Sequence, residues 1–272
     1  WNIDVDRIPT ARGMAYPDII EGDVTDRIKA LWFVATNPAV SFPNYSVLVQ
    51  ALRSVDFLVV QDGFHPTPTS DFAHLVLPAA IWGEKEGTYT NSERRISKAN
   101  ILVTPPGEAR PDFDIFLDLA ERLGVKDELY PGWQSTHDAF KEWQRVSSGR
   151  MCDYSNFTWQ QIEEEGGMQW GGESLYTDGI FPTHDGKAIL HTVPCLPFLE
   201  QPNAEYSLIL NTGRTVEHWH TRTKTAEVEM LHHMVPNAWL EMNPVDATRL
   251  DLKPHDRVNV VSRRSSVKNL EL

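Results

Sequence analysis

The 272-residue sequence contains few cysteines, few basic residues relative to acidic ones and no long apolar run. Its two cysteines, Cys152 and Cys195, are too few for a disulfide framework and lack metal-ligand spacing, which favours a reducing, cytoplasmic compartment. The 25 Lys and Arg against 38 Asp and Glu give a net charge of −13. This argues against nucleic acid or an anionic membrane surface as a partner, because both attract a basic excess. No run approaches the roughly 18 to 20 apolar residues that span a bilayer, so we expect no membrane partner.

The apolar residues, 41% of the sequence, are sufficient for a sizeable core and two domains. The chain opens at Trp1 without a methionine or a signal-peptide pattern, and it closes on a charged, strand-like stretch. We therefore expect it to be a piece of a larger protein.

The strongest pattern lies between Ile28 and Ser97, where apolar strands are predicted at 28–35, 57–60 and 73–77. Strands that are apolar almost throughout are typical of a parallel sheet covered on both faces. Residues 46–54 carry apolar side chains at helical spacing and are long enough for a crossover helix. Because ligands bind outside the carboxyl ends of such strands, we expect the polar turns that follow the three strands to share one crevice.

The rest of the chain is divided by composition. A helix is predicted from Asp112 with Gly124 as its C-terminal stop, and short helices are predicted at 136–146 and 158–164. After residue 200, short strands at 206–210, 238–242 and 257–262, with a helix at 244–250, favour a small β-barrel. The predicted fold class is α/β, with a doubly wound parallel-sheet domain at 1–125, a connector or lid at 126–200 and a small β-barrel domain at 201–272.

Five motifs follow one another along the chain and cover most of it except roughly 125 to 200. They are Thr36–Pro43, Leu77–Ser97, Pro106–Asp112, Thr212–Thr223 and Asn243–Ala247. In this order they resemble the molybdopterin oxidoreductases of the dimethyl-sulfoxide-reductase superfamily and, within it, the bacterial assimilatory nitrate reductases.

The resemblance implies a set of cofactors. It implies Mo-bis(molybdopterin guanine dinucleotide) and a second domain with a double-psi-like barrel. It also implies a [4Fe-4S] cluster and a molybdenum-ligating cysteine, whose motifs are absent from this sequence. Cys152 and Cys195 match neither motif, so we expect this chain to ligate no metal, to supply no catalytic acid, base or nucleophile, and to be inactive by itself.

The implied reaction is the reduction of nitrate to nitrite in nitrate assimilation, with electrons from a ferredoxin, a flavoprotein or an NADH-linked subunit. Two alternatives stay open at this point. One is a formate dehydrogenase or periplasmic nitrate reductase of the same superfamily. The other is a non-catalytic nucleotide-binding or partner-docking module that keeps the fold.

Polar residues at the expected sheet edge are candidates for dinucleotide binding. A carboxylate accepts both donors of a guanine edge, and Asp62 stands at a strand end, although an Asx turn before Gly63 is the simpler role. Asp112 is either an N-cap or, as the resemblance implies, a cofactor contact. Asn37 is a turn residue or a polar contact, and Lys85 is a solvated charge or a pyrophosphate contact. The candidates are Asn37, Gln61, Asp62, Lys85 and Asp112.

The run from Thr212 to Thr221 is the candidate site of the second domain. Gly213 permits close backbone approach to a ligand, and Arg214 can donate two hydrogen bonds to phosphate or carbonyl oxygens. The spacing of His218 and His220 also suggests a metal site, but no carboxylate or cysteine completes a motif. The resemblance implies that this run wraps the pterin, with Thr212, Gly213, Arg214, Glu217, His218, Trp219, His220 and Thr221 as candidates.

Overall fold

A computed structural model describes residues 3–22, 28–171, 176–181, 183–198 and 200–272 of the chain. The chain forms two compact units, Trp1–His191 and Thr192–Leu272. The division at 125 and 200 expected from the sequence stays a prediction.

The first unit contains the predicted parallel sheet, formed by β1 (Ala30–Val34), β2 (Phe57–Asp62) and β3 (Leu75–Pro78). The strand order is β1-β2-β3, and both neighbouring pairs are parallel. β2 is the central strand and four of its six residues are buried, as expected for a strand covered on both faces.

Among the described residues, three α-helices lie before β2 in the chain: α1 (Tyr16–Gly22), α2 (Pro38–Ser41) and α3 (Tyr45–Ser54). The predicted crossover helix is confirmed as α3, whose first turn is capped by Asn44 Oδ1 accepting a hydrogen bond from Val47 N at 3.4 Å. Leu48 and Leu52 project from one face of α3 and are almost completely buried, each contributing about 1.5–3 kcal/mol of burial energy. The core around them contains Ile20, Ala39, Phe42, Leu48, Ala51, Leu52, Val55 and Leu58.

The third strand begins at Leu75 and not at Ala73 as predicted. His74 explains the difference, because its backbone N donates to Leu58 O and its ring Nδ1 accepts from Leu58 N, both at 2.9 Å. The imidazole therefore takes the place of a backbone carbonyl just before the strand begins.

A second sheet in this unit, antiparallel and not predicted from the sequence, has the order β4-β5-β6. Its strands are β4 (Gly87–Thr90), β5 (Arg95–Ala99) and β6 (Met168–Gln169). Ile96 of β5 is fully buried at the centre of a largely aromatic cluster. That cluster contains Ile96, Phe140, Tyr154, Phe157 and Ile162.

The predicted helices between 112 and 164 are confirmed to within one or two residues. They are α4 (Asp112–Arg122), α6 (Thr136–Ser147) and α7 (Trp159–Glu164), with a further short helix α5 (Lys126–Leu129). Gly124, in the left-handed conformation with φ +71°, follows α4 as the predicted stop. Ser135 and Asp138 form a capping box at the start of α6.

Lys98 connects β5 to α7. Its side chain is only 9% exposed and pairs with Glu163 at 2.9 Å and Glu86 at 3.4 Å, with the ammonium 5.4 Å from the centre of the Trp159 ring. The hydrogen bond that Lys98 donates to Glu163, followed by the charge of Glu86, raises the pKa of Lys98 despite the opposing effect of burial. This part of the predicted connector therefore packs against the second sheet.

The second unit contains α8 (Glu229–Met234), α9 (Pro244–Arg249) and an antiparallel pair, β7 (Arg257–Val261) and β8 (Ser266–Glu271). The helix predicted at 244–250 and the strand predicted at 257–262 are confirmed. The strands predicted at 206–210 and 238–242 are wrong, and the described residues of this unit close no barrel. A strand requires a neighbouring strand for its backbone groups. Residues 206–210 form no strand pairing with the described residues, and 238–242 has one isolated bridge, Trp239 to Glu271.

Candidate functional site

The carboxyl edge of the parallel sheet gathers polar residues from two strands. Val34, the last residue of β1, lies beside Gln61 of β2, and Ala35 N donates to Gln61 O at 2.9 Å. Asn37 follows β1 by three residues, and Asp62 is the last residue of β2. Asn37, Gln61 and Asp62 therefore occupy the same edge of the sheet, as the sequence predicts.

A short extension of the sheet brings Asp112 to this edge. Ala79, just after β3, forms a parallel bridge with Arg110. In this bridge Arg110 N donates to Pro78 O at 3.1 Å, and Ala80 N donates to Arg110 O at 2.8 Å. Because Asp112 comes two residues after the bridge, α4 starts at the carboxyl edge.

Asp112 is the centre of a side-chain network. Its Oδ1 accepts a hydrogen bond from Gln61 Nε2 at 2.7 Å, and its Oδ2 forms an ion pair with the Lys85 ammonium. The pair is partly buried, since 24% of the Lys85 side chain and 29% of the Asp112 side chain are exposed. The N-cap role considered for Asp112 is wrong, because Pro111 is the N-cap and Asp112 is the first helical residue. Its carboxylate binds side chains from two other segments.

Gln61 is completely buried, and its amide orientation follows from chemistry. A carboxylate can only accept hydrogen bonds, so the amide nitrogen must face Asp112. The other amide atom, Oε1, is buried without a hydrogen-bond partner among the described residues.

Asp62 forms the Asx turn that the sequence left open. Its Oδ1 accepts from Phe64 N at 3.0 Å. The turn continues through Gly63, where an added Cβ would lie 2.3 Å from Ile81 Cγ2 and 3.3 Å from Ala79 O. Only glycine fits this space without a shift, so the turns after β2 and β3 are in close contact.

Asn37 is anchored from a distant segment. It is buried, and its Oδ1 accepts from Thr69 Oγ1 at 2.6 Å, while Ala39 N donates to the same Thr69 oxygen at 3.0 Å. Thr69 is not among the residues that the sequence predicts for this edge. The only signal for it was a polar stretch after β2, and nothing in the sequence pairs that stretch with Asn37.

The charges at this edge favour hydrogen-bond donors of a ligand. Asp62 and Asp112 offer carboxylate oxygens, and Lys85 is the cation of the network. The edge can therefore accept N–H groups of a base through its carboxylates, and it can contact an anionic oxygen through the Lys85 ammonium.

In the second unit, His218 joins the predicted run 212–221 to residues further along the chain. Its Nε2 lies 2.7 Å from Val235 O, which can only accept, so this nitrogen carries the proton. Its Nδ1 then accepts from Thr225 Oγ1 at 2.9 Å, and that hydroxyl also accepts from Trp219 N at 3.2 Å. Both ring nitrogens therefore bind residues that follow the predicted run, Thr225 and Val235.

The neighbouring candidates differ in exposure. Trp219 is 59% exposed and packs edge-on against His220, with ring centres 4.2 Å apart. Thr221 Oγ1 lies 2.7 Å from Thr223 Oγ1. Glu217 is partly buried, whereas Thr212, Gly213 and Arg214 are exposed.

The described residues contain no group of three or more His, Cys, Asp or Glu side chains placed to hold one metal ion. Within the same ranges, no helix is long and apolar enough to cross a bilayer.

A parallel sheet with polar side chains gathered at its carboxyl edge is typical of α/β proteins that bind ligands at that edge. Residues 17–122 match the family model of molybdopterin oxidoreductases, and residues 208–269 match that of the molybdopterin dinucleotide binding domain. The chain belongs to the molybdopterin oxidoreductase family, as the sequence motifs predict.

Three similar proteins show how the chain relates to this family. It is 35% identical to a nitrate reductase of Synechocystis sp. over 87% of the chain and 34% of that protein. It is 36% identical to the F420-dependent formate dehydrogenase subunit alpha of Methanocaldococcus jannaschii over 98% of the chain and 39% of that protein. It is 33% identical to the assimilatory nitrate reductase catalytic subunit of Bacillus subtilis over 98% of the chain and 38% of that protein. The chain thus spans only 34–39% of the length of these relatives.

Among solved structures, the chain shares its fold with the acetylene hydratase from Pelobacter acetylenicus. The TM-score is 0.69 at 20% sequence identity, over 94% of this chain and 37% of that one. At this identity the likeness concerns the fold alone.

Proposed function

We propose that the full-length protein reduces nitrate to nitrite, and that this chain holds part of a Mo-bis(molybdopterin guanine dinucleotide) cofactor. The observation that carries the proposal is the acceptor-rich edge formed by Asp62 and the network of Gln61, Asp112 and Lys85. Two of the nitrate reductases described above, at 33% and 35% identity, support the substrate.

The residues at the edge fit a guanine base. Guanine presents two donors side by side, N1–H and the amino group, and a carboxylate is the acceptor that matches both. Asp62 stands at the end of β2, and its Asx turn sets the orientation of the carboxylate. The narrow turn at Gly63 keeps side-chain bulk away from the same place. We propose that Asp62 accepts the guanine edge.

Lys85 fits the anionic part of the same ligand. Its ammonium has three N–H donors, and within the described part of the chain the ion pair with Asp112 uses one of them. In a chain with a net charge of −13, a phosphorylated ligand needs a local cation. We propose that Lys85 contacts a pyrophosphate oxygen, with Asn37 as a polar contact at the same edge.

In the second unit, we propose that the run from Thr212 to Thr221 contacts the pterin. Thr212, Gly213 and Arg214 are exposed and carry donors, which supports a ligand role. The hydrogen bonds of His218 with Thr225 and Val235 support a role in holding the run in place. The double-psi-like barrel, and a lid formed by residues 126–200, belong to the same proposal.

When bound, the cofactor supplies the oxygen-atom-transfer and redox chemistry. The side chains of this chain bind and orient it, and none is proposed as an acid, base or nucleophile. A [4Fe-4S] cluster, an electron donor of the ferredoxin, flavoprotein or NADH-linked type, and a cytoplasmic location complete the proposal by resemblance to the family.

Formate oxidation is the second candidate, because the formate dehydrogenase subunit alpha of M. jannaschii is as similar as the nitrate reductases. The test is to purify the full-length protein without oxygen and to assay it with nitrate plus reduced viologen dye, and with formate plus oxidised dye. We expect nitrite formation. Formate-dependent dye reduction alone would replace nitrate by formate as the substrate. Neither activity, together with an absence of molybdenum, would favour the non-catalytic module.

A further inference from the structure

Gln61 has a polar side chain at a fully buried position of the sheet, where an apolar side chain would stabilise the fold more. It lies in the central strand between Val34 of β1 and Leu77 of β3, and it is 0% exposed. Its Oε1 is buried and finds no hydrogen-bond partner among the described residues. Burying such an acceptor destabilises a fold, and an apolar side chain of similar size would avoid this cost. Packing of the sheet therefore does not explain a glutamine at this position.

What the glutamine does provide is one directed hydrogen bond. Its Nε2 donates to Asp112 Oδ1 at 2.7 Å, and the ion pair with Lys85 uses the other oxygen of the same carboxylate. The donor belongs to the central strand of the sheet, whereas Lys85 lies in the connection between β3 and β4. Gln61 thus sets the rotation of the Asp112 carboxylate, and this carboxylate in turn sets the position of the Lys85 ammonium.

We propose that Gln61 is a positioning residue for the dinucleotide site. It is too deeply buried to touch the ligand itself, and it acts through Asp112 on Lys85. This inference rests on the proposed function and extends it, because it separates the residue that orients the site from the residues that contact the ligand.

Loss of the amide has a specific consequence. Asp112 and Lys85 are each about a quarter exposed, so without Gln61 the carboxylate can rotate toward water and the ammonium moves with it. The fold around β2 keeps its apolar packing. We therefore expect weaker retention of the dinucleotide without loss of folding.

The first test is Gln61→Glu in the full-length protein that has been loaded with cofactor in the cell. The substitution places a second carboxylate against Asp112. Facing carboxylates repel each other when both are charged and form a hydrogen bond when they share a proton. We expect guanine nucleotide to be released at least about tenfold faster than from wild type near pH 8, and at nearly the wild-type rate near pH 5. If the ratio of the release rate of the Gln61→Glu protein to that of wild type is the same near pH 8 and near pH 5, the proposal is wrong.

The second test is Gln61→Met, which keeps the volume and removes both the amide donor and the buried acceptor. We expect the cofactor-free protein to unfold at the same denaturant concentration as wild type or at a higher one, while the loaded protein releases nucleotide faster. Reduced stability together with faster release would indicate a merely structural role and overturn the proposal, as would unchanged release.

The same experiments separate this proposal from the proposed function. If wild type carries no guanine nucleotide, the proposed function fails. If wild type carries it and both Gln61 variants retain it as wild type does, only the positioning role fails.

Discussion

The ion pair between Lys85 and Asp112 predicts a measurable coupling energy. Exposed pairs contribute about 0.2–1 kcal/mol, and breaking a fully buried pair costs about 3–5 kcal/mol. Each partner here is about a quarter exposed, which places the pair between these limits. We therefore expect a coupling energy of about 1–2 kcal/mol.

The measurement is a double-mutant cycle with Lys85→Met, Asp112→Asn and the double variant, using the unfolding free energy of the cofactor-free full-length protein. Asparagine at 112 keeps an oxygen for the Gln61 amide, so the cycle isolates the ion pair from that hydrogen bond. Lys29 and Asp56 form an exposed pair at 3.7 Å and serve as the matched control. We expect the control to couple by less than about 0.5 kcal/mol. A coupling for Lys85 and Asp112 that is no larger than the control would refute the network at the sheet edge.

Three further predictions concern the framework of the first unit. Leu52 is 1% exposed, so Leu52→Ala should lower the unfolding free energy, measured by urea titration, by about 2–5 kcal/mol. Leu123 is 65% exposed, so the control Leu123→Ala should change it by less than about 0.5 kcal/mol. Ser135→Ala should cost about 1 kcal/mol through loss of the capping box, and a cost below about 0.2 kcal/mol would contradict that cap. The pKa of Lys98 is raised above its ordinary value, chiefly by the hydrogen bond to Glu163, so protonated Lys98 should stabilise the fold fully below the unfolded-state pKa and lose this effect as pH rises through the folded-state pKa. Lys98→Met should abolish this alkaline dependence of the unfolding free energy. If the pH profile of the Lys98→Met protein is the same as that of wild type, Lys98 is not its cause.

The features that the sequence predicts correctly are local. They include the apolar run of β2, the helical spacing of α3 and the glycine after α4, and the residues that form each of these patterns are close in sequence. The polar turns of the edge were also predictable, because strand ends in a parallel sheet meet at one edge.

The features that the sequence does not predict depend on distant partners. β4 and β5 form a hairpin whose polar alternation is weak evidence for a strand. Ile96 is buried by side chains of α6, of α7 and of the segment between these helices. Residues 206–210 have the composition of a strand, but a strand also requires a neighbour. Hydrogen bonds between Thr69 and Asn37, and between Gln61 and Asp112, join residues 32 and 51 positions apart, and no local pattern encodes them.

Asp62→Asn tests the central claim, that the carboxyl edge of the parallel sheet holds the guanine end of the cofactor. Asparagine keeps an oxygen for Phe64 N and thus the Asx turn, but it cannot accept both donors of a guanine edge. The exposed Asp71, exchanged for asparagine, is the matched control. Molybdenum and guanine nucleotide should both fall in the purified full-length Asp62→Asn protein and stay at the wild-type level in the control. Full retention of both by the Asp62→Asn protein would contradict the account.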